Sequence, residues 1–250
     1  MSTTGETAYS VRFDVLELLE RGRDQVIKAP VYDNGALVAP SEATVSIFDA
    51  SNTAIVDAAA ATISGGIAQY TVSGTTQIPT TVALDRNWRV EWALTVAGVV
   101  VNARTDAALV YRQPYMVLTQ EHLLDYHRDL EDMITSKETS LRRYIEASWY
   151  DLIRMLYQDG TLIERVIDSH ALLDYHRAKC LERIFRDFST SSAGEKYGDL
   201  ALFYMETAKE HRGSMNFAAY DDDDDGDDDS PDSRRAAVGT IWTNSPRDWF

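Results

Sequence analysis

A single cysteine, Cys180, occurs among the 250 residues of the chain, so no disulfide can form within it. Its neighbours Leu181 and Ile184 are apolar, which predicts a buried thiol rather than a reactive one. Residues 1–10 lack the basic region and the apolar stretch of a secretory signal peptide. No apolar run reaches the roughly 20 residues that cross a bilayer. We therefore expect a protein made in a cytoplasm, with no membrane partner.

Clustered lysine and arginine are missing as well, although the chain is strongly charged. Its formal net charge is −16, and nine of the negative charges are aspartates of segment 221–232, which leaves −7 for the remainder. Surfaces that bind nucleic acid by neutralising phosphates usually carry clustered Lys and Arg, so we expect no such binding. An acidic wall that DNA slides past is compatible with this composition, because like charges repel.

Recognisable catalytic motifs are also absent. The sequence has no Gly-x-Ser-x-Gly, Walker or dinucleotide-binding motif and no paired cysteines. His122 and His127 lie five residues apart, and His170 and His176 lie six apart, whereas two metal ligands on one helix face need a spacing such as i, i+4. We therefore expect no catalytic residue, no metal site and no cofactor. Carboxylate chemistry without a recognisable spacing stays open as an alternative.

Residues 1–112 have the pattern of short β-strands. β-branched and aromatic residues are concentrated in four stretches, 45–48, 68–72, 88–95 and 99–103. Turn signals lie between or beside them, at 33–35, 49–52, 64–66, 73–74 and 98. The alternation of polar and apolar residues over 89–94 predicts a strand with one buried face. This spacing predicts a β-sandwich of the immunoglobulin-like kind, without the cysteine pair of antibody domains.

Segment 13–19 is ambiguous between helix and strand. The turn-like residues 21–24 follow it, and then comes the strand-like run Gln25-Val26-Ile27. We predict that these segments form a β-hairpin.

From Gln113-Pro114 onward the apolar residues follow a helical spacing. A first helix, with Thr119 as N-cap, would carry Leu123, Leu124, His127, Leu130 and Ile134. A second would carry Leu141, Ile145, Trp149, Leu152 and Leu156 and end at Asp159-Gly160. A third opens at Ser169 and runs through His176 to Ile184, and a fourth, with a capping box at 192–195, carries Leu200, Phe203, Tyr204 and Thr207. Residues 113–220 are therefore predicted to form an all-α helical bundle.

The hexapeptide LLDYHR occurs twice, at 123–128 and at 172–177, each time with a histidine shortly upstream. This repetition predicts one type of helix used twice, as after duplication of a helical hairpin. Two copies are too few for a solenoid. Asp125 and His127 lie two residues apart and point to different faces of a helix. We therefore favour packing or hydrogen bonds between helices over a functional site.

Segment 221–250 differs in character from the rest of the chain. Its acidic part, 221–232, predicts an extended and solvated linker. Asp221, Asp223, Asp225 and Gly226 match the first half of a calcium loop, but the twelfth position is Asp232 rather than Glu, so a spacer is favoured over ordered calcium binding. Aromatic side chains at the end of such a tail favour docking on a partner over folding back on their own domain. The predicted docking residues are Arg234, Arg235, Trp242, Arg247, Trp249 and Phe250.

Residues 115–250 resemble the head–tail connector (adaptor) proteins of tailed bacteriophages. The resemblance lies in a helical domain over 116–220, the Asp-x-Asp-x-Asp-Gly stretch that closes it, the pair Arg234-Arg235 and the extended end 242–249. It implies a ring of twelve subunits beneath the portal of the capsid, with the tail of each subunit, and the six docking residues, inserted against the portal protein. The added β domain would face outward or contact tail or tail-fibre proteins.

The resemblance thus implies a structural protein of the virion neck that lets DNA pass through its channel as cargo. An alternative is a receptor- or glycan-binding virion protein that uses Trp88, Trp92 and Tyr70 of the β domain, with the helices as the oligomerisation unit. A third is a cytoplasmic enzyme. A ring favours the connector, a trimer the fibre-like binding role, and a monomer with turnover the enzyme.

Overall fold

The computed structural model describes residues 9–13, 16–133, 140–158, 163–166, 168–189 and 194–215. The protein is a mixed α+β chain that separates into two compact units, Met1–Gln113 and Pro114–Phe250. The first unit is built from strands, and the regular structure described in the second is helical.

Eleven strands form three sheets in the described part of the first unit. Their bounds are β1 Tyr9–Val11, β2 Glu17–Glu20, β3 Gln25–Ala29, β4 Val31–Asp33, β5 Ala36–Val38, β6 Glu42–Phe48, β7 Ala54–Ala60, β8 Thr62–Ser64, β9 Ile67–Val72, β10 Asp85–Val96 and β11 Val99–Val110. The largest sheet has the order β2-β11-β10-β6-β7, and the two smaller ones have the orders β1-β4-β5 and β3-β9-β8. Pairing is antiparallel except at β2, which runs parallel to β11.

The three sheets share one hydrophobic core. Alternate side chains of β10, from Trp88 to Val96, point into it, as the sequence alternation predicted. Residues of β6, β3 and β4 complete the core, among them Val45, Ile27 and Val31. The β-rich character of the first unit is therefore confirmed.

Two-residue turns set the register of the hairpins. Asn34 and Gly35 both have positive φ values, 48° and 87°, between β4 and β5, and Ala97 and Gly98 have φ values of 49° and 80° between β10 and β11. Positive φ at both central positions is the type I′ geometry, whose twist matches that of the flanking strands. The predicted turn signals at 33–35 and 98 are thus confirmed.

The predicted hairpin of segments 13–19 and 25–27 is wrong. Both β2 and β3 exist, but they belong to different sheets, because β2 pairs with β11 and β3 pairs with β9. The intervening residues therefore carry the chain from one sheet to another. Local residue types show where a strand begins and ends, but they do not show which strand it pairs with.

The outer strand β7 of the largest sheet is irregular. Its pairing with β6 shifts register between Val45 and Ile47, and Ala58 adopts a φ of 43°. The Ala58 N–H donates to the Ser46 side-chain oxygen (2.9 Å). This edge is therefore bulged rather than flat.

The described helices of the second unit are α1 Gln120–Tyr126, α2 Leu130–Met133, α3 Arg142–Gln158, α4 Leu173–Ser189 and α5 Gly194–Met215, with short 3-10 turns at Ile163–Arg165 and Ser169–Leu172. One hydrophobic core joins α1, α2, α3, α4 and α5. It contains Leu123, Leu130, Ile145, Leu181, Ile184, Phe185 and Tyr204.

The first predicted helix is interrupted. α1 ends at Tyr126, and His127 has extended backbone angles (φ −140°, ψ 93°) that carry its ring to the Tyr204 hydroxyl of α5. This tertiary hydrogen bond replaces the continuation of the helix, which resumes only at Leu130. Ile134, Asp159-Gly160 and Ser192, also named in the helix predictions, lie outside the described residues.

Two aromatic residues were assigned to the wrong environment. Trp149 was predicted to lie in the apolar stripe of α3 but is only half-buried, whereas Tyr144 and Ser148 are buried. Phe203 was grouped with the apolar face of α5 but is 59% exposed, whereas the adjacent Tyr204 is 4% exposed. The rest of the predicted stripe of α3 is confirmed, because Leu141, Ile145, Leu152 and Leu156 are buried. On α5 the buried residues are Ala201, Tyr204 and Ala208, so the buried face is rotated away from Phe203.

Replacement of Trp88 tests the β core. Trp88 is 2% exposed, so Trp88→Ala should lower the free energy of unfolding by about 3–5 kcal/mol through lost burial and an unfilled cavity. Val100→Ala, at an exposed position of β11, should change it by less than about 0.5 kcal/mol. Urea denaturation followed by circular dichroism measures both, and equal effects would contradict the assigned core.

The neighbours Phe203 and Tyr204 test the register of α5. Tyr204→Ala should lower the free energy of unfolding by at least about 2 kcal/mol, because the ring packs on Phe185 and its hydroxyl bonds His127. Phe203→Ala should cost less than about 0.5 kcal/mol, because the ring is exposed. The same denaturation experiment compares them, and the reverse order would show that the helix is rotated.

Candidate functional site

The docking residues predicted from the sequence lie outside the described residues, as does the acidic segment 221–232. They are Arg234, Arg235, Trp242, Arg247, Trp249 and Phe250. The structure does describe the duplicated hexapeptide, the cysteine and the charged surface of the second unit, called the helical unit below.

The two copies of the hexapeptide begin with equivalent helix caps. Thr119 lies four residues before the first leucine of one copy, and Asp168 lies four residues before that of the other. The Thr119 hydroxyl accepts from the His122 N–H (3.3 Å), and the His122 ring Nδ1 accepts from the Thr119 N–H (3.3 Å). The Asp168 carboxylate accepts from the His170 N–H (2.9 Å). Both upstream histidines thus belong to helix caps, for which sequence analysis had no explanation.

The copies diverge after their caps. The first ends α1, whereas the second begins the long helix α4. They also contact each other, because the Arg177 guanidinium of the second copy lies over the Tyr126 ring of the first, 4.6 Å from its centroid, while a 2.7 Å bond to Asp174 holds that guanidinium. The repeated sequence is therefore used to join two parts of one unit.

His176 connects α4 to α3 inside the protein. Its ring is 1% exposed, and Nε2 lies 3.0 Å from both the Ile145 carbonyl oxygen and the Ser148 hydroxyl. Ser148 donates to the same carbonyl (3.0 Å). Burial lowers the pKa of His176 to about 4, so the ring is neutral at physiological pH and can donate its Nε2 proton to the carbonyl. His176 therefore forms a structural hydrogen bond between α4 and α3.

His127 occupies the equivalent position in the first copy and is half-buried among aromatic rings. Phe185 and Tyr204 meet its ring edge-on, with centroids 5.5 Å away. Burial lowers the pKa of His127, while the nearby Asp129 opposes this shift. Burial also raises the pKa of Tyr204 to about 12. Both partners of this hydrogen bond are therefore uncharged at neutral pH, and the contact holds α1 against α5.

Cys180 is buried, as predicted. Burial raises the pKa of its thiol to about 12, so the thiolate needed for nucleophilic or redox chemistry does not form near neutral pH. Within the described ranges, no group of three or more His, Cys, Asp or Glu side chains is arranged to hold a metal ion.

A charged groove of about 660 Å³ runs between α3 and α4. Its charged lining consists of Arg143, Asp151, Lys179, Glu182, Arg183, Arg186 and Asp187. Arg143 pairs with Asp187 (3.0 Å) and Arg183 with Asp151 (2.6 Å), so these two pairs bridge the helices. Glu182, whose side chain is 4% exposed, receives both Lys179 and Arg186.

Sequence analysis missed this groove, although a signal was present. Lys179, Arg183 and Arg186 recur at intervals of four and three residues, which places them on one face of a helix. The helix predictions were based on the spacing of apolar residues, which carries no information about this cationic face. No local pattern, however, shows that Arg143 and Asp151 of α3 lie across from it.

Other exposed and buried side chains bear on the alternatives. Leu202 and Phe203 form an exposed apolar pair on α5, with the exposed Asp199 and Glu206 about one helical turn to either side. Trp88 and Trp92, which the glycan-binding alternative required, are both in the β core. None of the helices in the described ranges combines the length and apolarity that spanning a membrane requires.

The buried histidine predicts a pH-dependent stability. The pKa of His176 falls from 6.5 to about 4 on folding, so the unfolded chain binds more protons between these values. The contribution of the neutral ring, of order 3 kcal/mol, is complete above pH 6.5 and is lost as the pH falls toward 4. His176→Gln should be less stable at pH 7 but should lose most of this pH slope.

His170→Gln is the matched control, because the His170 side chain is 61% exposed. It should retain the wild-type slope. Urea denaturation at pH 7, 6, 5 and 4 provides the measurement, and identical slopes for His176→Gln and the wild type would show that His176 is not the group responsible.

Comparison with known proteins adds no relative to these observations. No protein-family model matches the chain, and no curated protein matches it significantly. The features that bear on function are therefore those of the chain itself, namely the charged groove, the exposed apolar pair and the composition of segment 221–250.

Proposed function

We propose that the protein is a structural subunit of a bacteriophage neck, which forms a ring between the portal of the capsid and the tail and encloses the channel through which DNA leaves. The observation that carries this proposal is the order of residues in segment 221–250. Nine aspartates are followed by Arg234-Arg235, and the chain then ends in Trp242, Arg247, Trp249 and Phe250.

This order of residues suits a docking arm. Like charges repel one another, so a run of aspartates favours an extended spacer from which the following residues could reach another protein. Aromatic and arginine side chains are the usual anchors of protein interfaces, because they bury much area and form directed hydrogen bonds. Twelve such arms on one ring would bind together with an affinity far above that of a single arm.

The helical unit supports the proposal by the surfaces that it presents. A ring subunit needs two different faces that meet the neighbours on either side. The charged groove and the exposed apolar pair provide surfaces on different helices, α3 with α4 and α5. We assign this unit as the helical bundle from which the ring is built.

The β unit is assigned as an immunoglobulin-like sandwich carried by the ring. Sheets of mainly antiparallel strands around one core are typical of that architecture, and here the five-stranded sheet and the two smaller sheets contribute to one core, with all pairing antiparallel except that of β2 with β11. In the neck, this unit would contact tail or tail-fibre proteins or decorate the surface.

Substitution in the tail tests portal docking. The triple change Arg247→Ala, Trp249→Ala and Phe250→Ala should abolish capture of the protein by portal rings from the same phage, because it removes the anchors. The control Thr243→Ala, Asn244→Ala and Ser245→Ala, in the same segment, should keep it. Co-sedimentation with purified portal measures capture, and circular dichroism should show an unchanged fold for both variants.

Binding of the triple variant to portal rings at the wild-type level would refute the docking assignment. Native mass spectrometry of the wild-type protein with portal should show a closed ring. A trimer would instead favour the receptor-binding alternative.

A further inference from the structure

We propose that the charged groove between α3 and α4 receives the acidic segment 221–232 of a second copy of the chain. The contact would join neighbouring copies of the proposed ring, and its test needs no portal. Failure of this inference and failure of the proposed function are therefore separable.

The charge of the groove differs from that of the chain. Four cationic side chains, Arg143, Lys179, Arg183 and Arg186, face three carboxylates, so the groove carries an excess of positive charge in a chain of net charge −16. One of the carboxylates, Glu182, is buried beneath two of the cations. The exposed rim is therefore more cationic than the residue count indicates.

The cations on the rim can accept further carboxylates. A guanidinium has five N–H donors, and the Arg183–Asp151 bond of 2.6 Å uses one of those on Arg183. Arg183 and Asp151 are about half exposed, and such ion pairs contribute less than about 1 kcal/mol because water screens them. A chain of aspartates can therefore share these arginines at little cost to the existing pairs.

The negative charge of segment 221–232 makes it the expected occupant of the charged groove. It holds nine Asp, and no other stretch of the chain has a comparable density of one sign. An extended segment of this length spans up to about 40 Å, enough to follow a groove between two helices. Charge complementarity of this kind increases the rate of association and sets the register of the contact.

The proposed ring favours a second copy over the same molecule, because it places a neighbour beside each subunit. Tyr204, level with Phe185 of α4, lies eleven residues before Met215, so the helix carries the chain about 16 Å past that level. Only five residues lie between Met215 and Asp221. Together with the twelve residues of the acidic segment they span up to about 60 Å when extended, enough to reach a neighbouring subunit of the proposed ring.

Two full-length variants and their mixture test the contact. The groove variant is Arg183→Gln with Arg186→Gln, and the tail variant has Asp221, Asp222, Asp223, Asp224 and Asp225 each changed to Asn. Sedimentation velocity in about 0.1 M salt should show self-association of the wild type that is weakened at least about tenfold in each variant and in about 1 M salt, where the Debye length falls to about 3 Å. An equimolar mixture should form dimers, because the intact groove of the tail variant receives the intact segment of the groove variant.

Matched variants separate charge from fold. Arg128→Gln with Arg154→Gln removes two exposed cations outside the groove lining and should associate like the wild type. Arg183→Lys with Arg186→Lys keeps the charge and should retain most of the association. Thermal melts should show that all variants are folded.

Three results would overturn the inference. The first is a wild type that stays monomeric in about 0.1 M salt, at which the Debye length is about 10 Å. The second is self-association that neither variant weakens. The third is a mixture that associates no more tightly than either variant alone, which would show that the groove of one copy does not receive the acidic segment of another.

Discussion

The helical unit depends on the packing of α4 against α3, and the buried hydrogen bond of His176 with the Ile145 carbonyl joins the first turns of the two helices. One side of α4 completes the hydrophobic core with Cys180, Leu181 and Ile184. Its other side supplies the cations of the charged groove. Because both surfaces are carried by the same helix pair, a change that separates α3 from α4 would disrupt the core and the groove together. The buried contact of His176 therefore supports both surfaces.

Identical sequence does not produce identical structure in this chain. The six residues of the repeated hexapeptide end a helix in one place and begin one in the other. The caps are equivalent, so local sequence determines where both segments start. The difference lies in the partners, since His127 meets a tyrosine hydroxyl of α5 whereas His176 meets a backbone carbonyl of α3. Tertiary contacts therefore decide how far each helix extends.

The sequence patterns predicted correctly those features that depend on interactions between neighbouring residues. The alternation of β10 and the type I′ turns followed from residue type, because strand faces and positive φ values depend on neighbouring residues alone. The parallel pairing of β2 with β11 did not follow, because it joins residues some 90 positions apart. The exposed position of Phe203 was also missed, since a spacing of three and four residues identifies a stripe but does not show where its edges lie. The charged groove required two helices to be brought together.

The bulge in β7 has a consequence for contacts between copies of the chain. A flat outer strand offers a row of unpaired backbone groups to the same strand of an adjacent molecule, and repeated addition of this kind produces fibres. In β7 the register shift and the turned backbone at Ala58 interrupt the regular strand, and the Ala58 N–H is bound to the Ser46 side chain of the neighbouring β6. An edge of this shape is a poor template for the addition of a strand from a second copy.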